Sequence, residues 1–161
     1  RTTTRADLRV LVVGGGEGLD VLKREGAGDE RLLLPGRVPR EVVPDVLAAM
    51  DVASLPQSID RVGSFRYSTK LSEYLAAGLP VVTGQIPAAY DLDEGWLWRL
   101  SGDAPWDERY LAALGELMAS VTRDDVEQRR RRIPRSVEIF DEHRQRRRVT
   151  AFVTDIVRGS S

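Results

Sequence analysis

Short apolar runs alternate with polar stretches of helical period along the first hundred residues. Leu8–Val13 is rich in Val and Leu, the pattern of a buried strand. It runs into Gly14-Gly15-Gly16-Glu17-Gly18, and a short helix follows with Leu19 and Leu22 as its apolar stripe, ended by Gly26 and Gly28. Leu32–Leu34 predicts a second strand, stopped by Pro35-Gly36. A helix is expected near Pro44–Met50, with Pro44 in the first turn, where no N–H is needed, and Val43, Val46, Leu47 and Met50 on one face. Asp51–Leu55 predicts a third strand, ended by Pro56, and Gln57–Tyr67 a polar loop. The next helix runs from Thr69 to Ala77, with Ser68 as N-cap and Gly78 at C′. Pro80–Thr83 and Trp96–Leu100 predict two more strands, and Asp107–Ser120, Asp124–Arg132 and Ser136–Val157 three more helices. Nearly all-apolar strands alternating with helices predict an α/β fold, a parallel sheet with helices on both faces.

Composition narrows the chemistry. The chain has 161 residues, 42% hydrophobic and 30% charged, with a formal net charge of −1. That is one globular domain with no global field toward nucleic acid. It has no Cys, which excludes disulfides and thiolate chemistry, and a single His, His143, read as a surface residue. No apolar run reaches the roughly 20 residues that span a bilayer. Nor does Arg1-Thr-Thr-Thr-Arg5 lead into a signal-peptide core. Charge is uneven: residues 121–161 hold 11 Arg and 7 acids, net +4, which leaves residues 1–120 at net −5. The runs Arg129–Arg132 and Arg146–Arg148 read as solvated helix faces, with a membrane surface or a phosphate as the other use of such a patch. Aromatic residues for base stacking are not interleaved there.

The glycine turn after the first strand is where backbone N–H groups can hold a phosphate. It departs from the dinucleotide fingerprint, because Leu19 stands where the third Gly belongs and no acid ends the next strand. A tight turn and a phosphate cradle therefore both remain open. Asp91-Leu92-Asp93 spells Asp-x-Asp but does not clearly end a strand, and it is read as no metal site. Trp96, Trp98 and Trp106 are expected to pack at the sheet edge and the following helix. The most informative segment is Tyr67-Ser-Thr-Lys-Leu-Ser-Glu-Tyr-Leu-Ala-Ala-Gly-Leu-Pro-Val-Val82. It delivers Ser68, Thr69 and Lys70 to a helix start, where the N–H groups of Lys70 and Leu71 are expected free to meet a diphosphate. Glu73, one turn on, is placed to accept from hydroxyl groups. The competing reading of Lys70 and Glu73 is a surface i,i+3 ion pair.

In order and spacing these pieces resemble the C-terminal, nucleotide-sugar-binding half of GT-B-fold retaining glycosyltransferases of the glycogen-synthase-like group, over about residues 8–157. Leu11-Val-Val-Gly-Gly-Gly16, Leu34-Pro-Gly-Arg-Val38, Ala49-Met-Asp-Val-Ala-Ser-Leu-Pro56 and Lys70–Val82 carry the resemblance. It implies a Rossmann-like domain over residues 1–135 and a C-terminal helix over 136–161 that returns toward an N-terminal domain. It also implies one further strand and helix before Leu8, with that strand central in the sheet.

The activity implied is transfer of a sugar, with retention, from a nucleoside-diphosphate sugar to an acceptor glycan, lipid or small molecule, without metal or other cofactor. Lys70 would be the catalytic residue. Gly14, Gly15, Gly16, Arg37, Val38, Pro56, Ser68, Thr69, Lys70, Leu71 and Glu73 would bind the donor, with Arg37, Val38 and Pro56 around the base and Glu73 on the ribose. The expected location is cytoplasmic, with peripheral contact at the inner membrane face through the Arg-rich helices. One departure matters: many members carry Glu-x7-Glu, Glu73 matches the second Glu, and Phe65 stands at the first. A non-catalytic nucleotide-binding module and a sugar-nucleotide epimerase of the same fold remain as alternatives.

Overall fold

The computed structural model describes residues 5–66, 68–134 and 141–159. Five strands, β1 (Val10–Val13), β2 (Leu32–Gly36), β3 (Ala53–Leu55), β4 (Val81–Thr83) and β5 (Leu97–Arg99), alternate with helices, and every strand pair is parallel. The α/β, Rossmann-like class expected from the apolar runs is the class observed. The described strands form a two-stranded sheet β1-β2 and a three-stranded sheet β3-β4-β5, the division that a sheet without the expected central strand before Leu8 would show. β1 pairs only with β2 and β3 only with β4, so one edge of each is unpaired among the described residues.

β4 shows how the larger sheet is covered. Val81 belongs to the core under α2 (Val43–Ala48), α3 (Thr69–Ala76) and α4 (Pro87–Asp91), with Leu47, Leu71, Leu75, Ala89 and Trp96. Val82, next along the strand, points the other way to Leu100 and Tyr110, the latter on α5 (Glu108–Ser120). Alternation along a strand thus yields two apolar layers, one per face. The β1-β2 sheet, with α1 (Leu19–Glu25), is different: no residue from 5 to 36 is buried. It faces α5 across a cleft of about 530 Å³, lined by Val10, Leu22, Leu32, Leu114 and Met118 among others.

Several boundaries depart from expectation. β2 continues through Pro35 and Gly36, and Val13 pairs with Gly36 after an irregularity in the register. Proline is tolerated on an edge strand because its missing N–H can face away from the ladder. A 3₁₀ turn, Arg40–Val42, precedes α2. α4 was not foreseen, because its five residues are too short to show a period. Trp106 is 74% exposed and does not pack on the sheet, whereas Trp96 is buried and donates its indole N–H to the Leu92 carbonyl at 3.0 Å.

Arg129, on α6 (Arg123–Arg130), is no solvated charge. It donates to the Gly95 and Leu97 carbonyls at 3.1 Å each, and its guanidinium lies 4.3 Å from the Trp98 ring centre. The last helix, α7, covers Glu142–Gly159; the portion expected at 136–140 lies outside the described residues.

Candidate functional site

The segment most suggestive in sequence forms α3, anchored from beneath. Leu71 and Leu75 are buried against the β3 face, and Gly78, with φ of 68°, turns the chain into β4. A positive φ is routine for glycine and costly for other residues. Ser68 occupies the N-cap with extended backbone, but its hydroxyl makes no capping bond. The Leu71 N–H is not free as expected: it donates to the Ser68 carbonyl at 3.1 Å, a 3₁₀-type bond that tightens the first turn. Neither the Thr69 nor the Lys70 amide donates a hydrogen bond to another described residue. Lys70 and Glu73 are both exposed, and no ion pair joins them among the described residues. The surface-pair reading of these two side chains therefore has no contact behind it. Tyr67 lies outside the described residues.

The approach to α3 is built by residues the sequence reading did not single out. Gln57 is buried, and its amide N donates to the carbonyls of Gly63 at 2.6 Å and Arg66 at 3.0 Å. Asp60 accepts from the Gly63 and Val62 amides and from the Ser58 hydroxyl. Those bonds, the Gly63 amide foremost, hold its carboxyl below the usual carboxylate range. A Cβ at Gly63 would fall 2.0 Å from the Ser58 carbonyl oxygen, so this position admits only glycine. The loop is thus a fixed frame, and Phe65 projects from it at 90% exposure. One signal for Gln57 existed in the sequence: an amide directly after a buried strand and Pro56.

The glycine turn follows β1. Gly14 and Gly16 have φ of 141° and 154°, and the Gly14 N–H donates to the Gly36 carbonyl at 2.8 Å. Arg37 lies over Gly15: a Cβ there would come within 2.9 Å of its Nε. The structure therefore brings together Gly14, Gly15, Gly16 and Arg37. Val38 follows on the same β2 exit, half-buried, and Pro56 is exposed at the end of β3. All of these and α3 follow carboxyl ends of strands, where parallel sheets take ligands. Among the described residues no hydrogen bond or ion pair links the glycine turn to α3. The 530 Å³ cleft lies elsewhere, at the starts of β1 and β2.

Asp93 is engaged within the chain. Its carboxylate accepts from the Gly95 and Leu97 amides at 2.7 and 3.2 Å and pairs with Arg99 at 3.6 Å, fixing the turn into β5. At the carboxyl end of β4, the buried Thr83 hydroxyl donates to the Leu55 carbonyl at 2.9 Å, and the Gln85 amide N donates to the Leu100 carbonyl at 2.8 Å. These bonds tie the ends of β3, β4 and β5 together. No helix among the described residues is long and apolar enough to cross a membrane.

Comparison with known proteins adds the class. No curated protein matches the chain. The glycosyl transferases group 1 family matches residues 1–119, which spans β1 through α5 and so includes both the glycine turn and α3. With parallel strands, helices on both faces of the larger sheet and a match over most of its length, the chain belongs to the group 1 glycosyltransferases.

Proposed function

We propose that this chain binds the donor of a retaining glycosyltransferase, a nucleoside-diphosphate sugar, at the start of α3. The observation that carries the reading is the pair of exposed, unpaired side chains Lys70 and Glu73 on a helix whose opposite face is buried. Breaking the bond between anomeric carbon and diphosphate builds negative charge on the leaving oxygen. The Lys70 side chain and the first amides of α3 meet that charge, and a positioned donor stabilises it more in the transition state than in the ground state. Glu73 accepts from the ribose hydroxyls. Leu71 contributes through its buried side chain, which fixes the helix, rather than through its amide. Gly14–Gly16 approach the sugar-phosphate side, and Arg37, Val38 and Pro56 border the base. No residue here is asked to hold a metal. The acceptor, a glycan, lipid or small molecule, is positioned by an N-terminal domain, and a strand preceding Leu8 lies between β1 and β3. Their unpaired edges support that last point, since each offers a parallel ladder to one more strand.

Titration calorimetry with UDP, GDP and ADP sugars tests the reading. Lys70→Ala removes a charge-assisted contact of roughly 1.5–3 kcal/mol, about 10- to 150-fold in donor affinity. Unchanged donor affinity and unchanged turnover in the complete enzyme would remove Lys70 from the site. Glu73→Gln is expected to weaken free nucleotide as much as sugar nucleotide. A second reading, a nucleotide-binding module without transfer, is favoured by Phe65, which stands where the resembling family carries an acid. Sugar release that stays at background with acceptor present would select it.

A further inference from the structure

Two loops at the carboxyl ends of the larger sheet each hold a large aromatic side chain out in solvent. Phe65, on the loop after β3, is 90% exposed, and Trp106, on the loop after β5, is 74% exposed. β3 and β5 flank β4 and run parallel to it, so both loops leave the same edge, the one where parallel sheets take ligands. The loops are joined. The Ile59 amide donates to the Asp103 carbonyl at 2.8 Å, and the hydroxyl of Ser64, next to Phe65, donates to the Ile59 carbonyl at 2.7 Å. Trp106 stands three residues beyond Asp103, at most roughly 11 Å of chain. The second loop is framed as firmly as the first. Gly102 is buried with φ of 107°, and a Cβ there would fall 2.9 Å from the Tyr110 amide nitrogen. The Asp107 carboxylate accepts from the Asp103 amide at 3.2 Å and the Arg109 amide at 2.8 Å, on either side of Trp106. With Gln57, Asp60 and Gly63 holding the first loop, the backbone at both aromatics is set before a ligand arrives.

We infer that Phe65 and Trp106 are this chain's share of the acceptor site, and that the acceptor is a sugar chain whose rings lie on the two aromatic faces. The inference rests on the transfer reading above and narrows its acceptor from glycan, lipid or small molecule to the first. An exposed aromatic ring is apolar area that a partner can take out of water. What surrounds the rings selects the partner. Asp60, Arg61 and Arg66 stand within five residues of Phe65, and Asp103, Asp107 and Arg109 within three of Trp106. The Asp103 and Arg109 side chains are 73% and 65% exposed. A protein partner or a lipid tail would press these charges into an apolar contact, whose centre is normally depleted of charge. A pyranose has the matching make-up. Its C–H bonds on one face meet an aromatic ring, and the hydroxyls of its rim donate to carboxylates and accept from guanidinium groups. Phe65 stands four residues before Thr69, the first residue of α3, which keeps its ring within chain reach of the proposed donor contacts.

Saturation-transfer NMR of the full chain tests this, with glucose, mannose, galactose and N-acetylglucosamine and their oligosaccharides as probes. At least one series is expected to bind at millimolar concentration and to tighten as the chain lengthens, with saturation passing chiefly to ring C–H protons. Phe65→Ala and Trp106→Ala should each weaken it about tenfold. Both side chains are exposed, so the variants should keep the wild-type circular dichroism and melting temperature, which separates lost binding from lost fold. Donor titration reads this inference apart from the one beneath it. Trp106→Ala should lose the sugar chain and keep its donor affinity, whereas a wrong donor assignment shows in the wild-type titration with sugar nucleotides. Binding of no series overturns the inference, as does binding that neither variant changes or that does not tighten with length. Loss of donor affinity in Trp106→Ala would place that ring at the donor and overturn it too. Octanol bound with the same loss in both variants would assign the pair to a lipid tail, and self-association abolished by Trp106→Ala would assign it to a second copy. Either result likewise overturns it.

Discussion

The two sheets are made of the same kinds of strand, yet they differ in what covers them. Val81, Val82 and Thr83 of β4 are all buried, with an apolar layer on each face, whereas in β1 Val10 is exposed and Leu11 to Val13 are half-buried. Burial of apolar area is the dominant favourable contribution to folding, so equal strand sequences do not imply equal stability. β4 is central and has a ladder on both sides; β1 has one. The strength of a strand is set by its neighbours, and the larger sheet supplies them from this chain alone.

The largest expected effect is in that sheet. Trp96→Ala removes a side chain that is 1% exposed and should cost about 3–5 kcal/mol, read from urea unfolding. Leu11→Ala in β1 should cost about 1 kcal/mol or less, in proportion to its smaller burial. Equal losses would erase the contrast. Next in size, Gln57→Ala leaves the Gly63 and Arg66 carbonyls without their amide partner, at about 1–3 kcal/mol. It should also weaken donor binding, because the chain leading to Lys70 loses its anchor. Hydrogen exchange sharpens the contrast without mutation: the Leu11 amide should exchange far faster than that of Val82. Protection of β1 equal to that of β4 would mean that β1 has a second partner strand.

The smallest effect is electrostatic. Hydrogen bonds from Arg109, from its side chain and then its amide, and from the Asp103 amide hold the Asp107 carboxyl down to about 2, against an ordinary 3.8. A depressed folded pKa favours the folded state above the ordinary value, and that contribution fades as pH falls from about 4 toward 2. Asp107 is the N-cap of α5, so Asp107→Ala should lower the melting temperature at pH 7 and flatten the acid dependence over that window. An acid limb unchanged in the variant would show that Asp107 does not set it.

Strand identity was legible because buried parallel strands are continuous apolar runs, as Leu8–Val13 and Pro80–Thr83 are. Their grouping into two sheets does not follow from the runs themselves, because a run of Val and Leu does not record which edge is paired; it followed from the family resemblance, which places a central strand before Leu8. The start of α3 at Thr69 was legible, but the Leu71 amide closes a 3₁₀ bond to Ser68 that no propensity announces. Arg129 was misread as a solvated charge, since its two carbonyl partners and the Trp98 ring are more than 30 positions away along the chain. Gln57 escaped for the same reason in miniature: a polar loop reads as solvated until its one inward amide is seen.

The loop before α3 has a consequence for how such a protein can diversify. Its frame is the buried Gln57 and Gly63, with the exposed Asp60 carboxylate holding the Val62 and Gly63 amides, and it tolerates little change, since even a methyl group at Gly63 meets the Ser58 carbonyl. The side chains of its tip, Val62 and Phe65, face solvent. Inheritance can therefore reshuffle the tip freely while the frame holds Lys70 in place. New side chains at position 65 can be tried against new substrates without risking the scaffold, and lineages should differ there first.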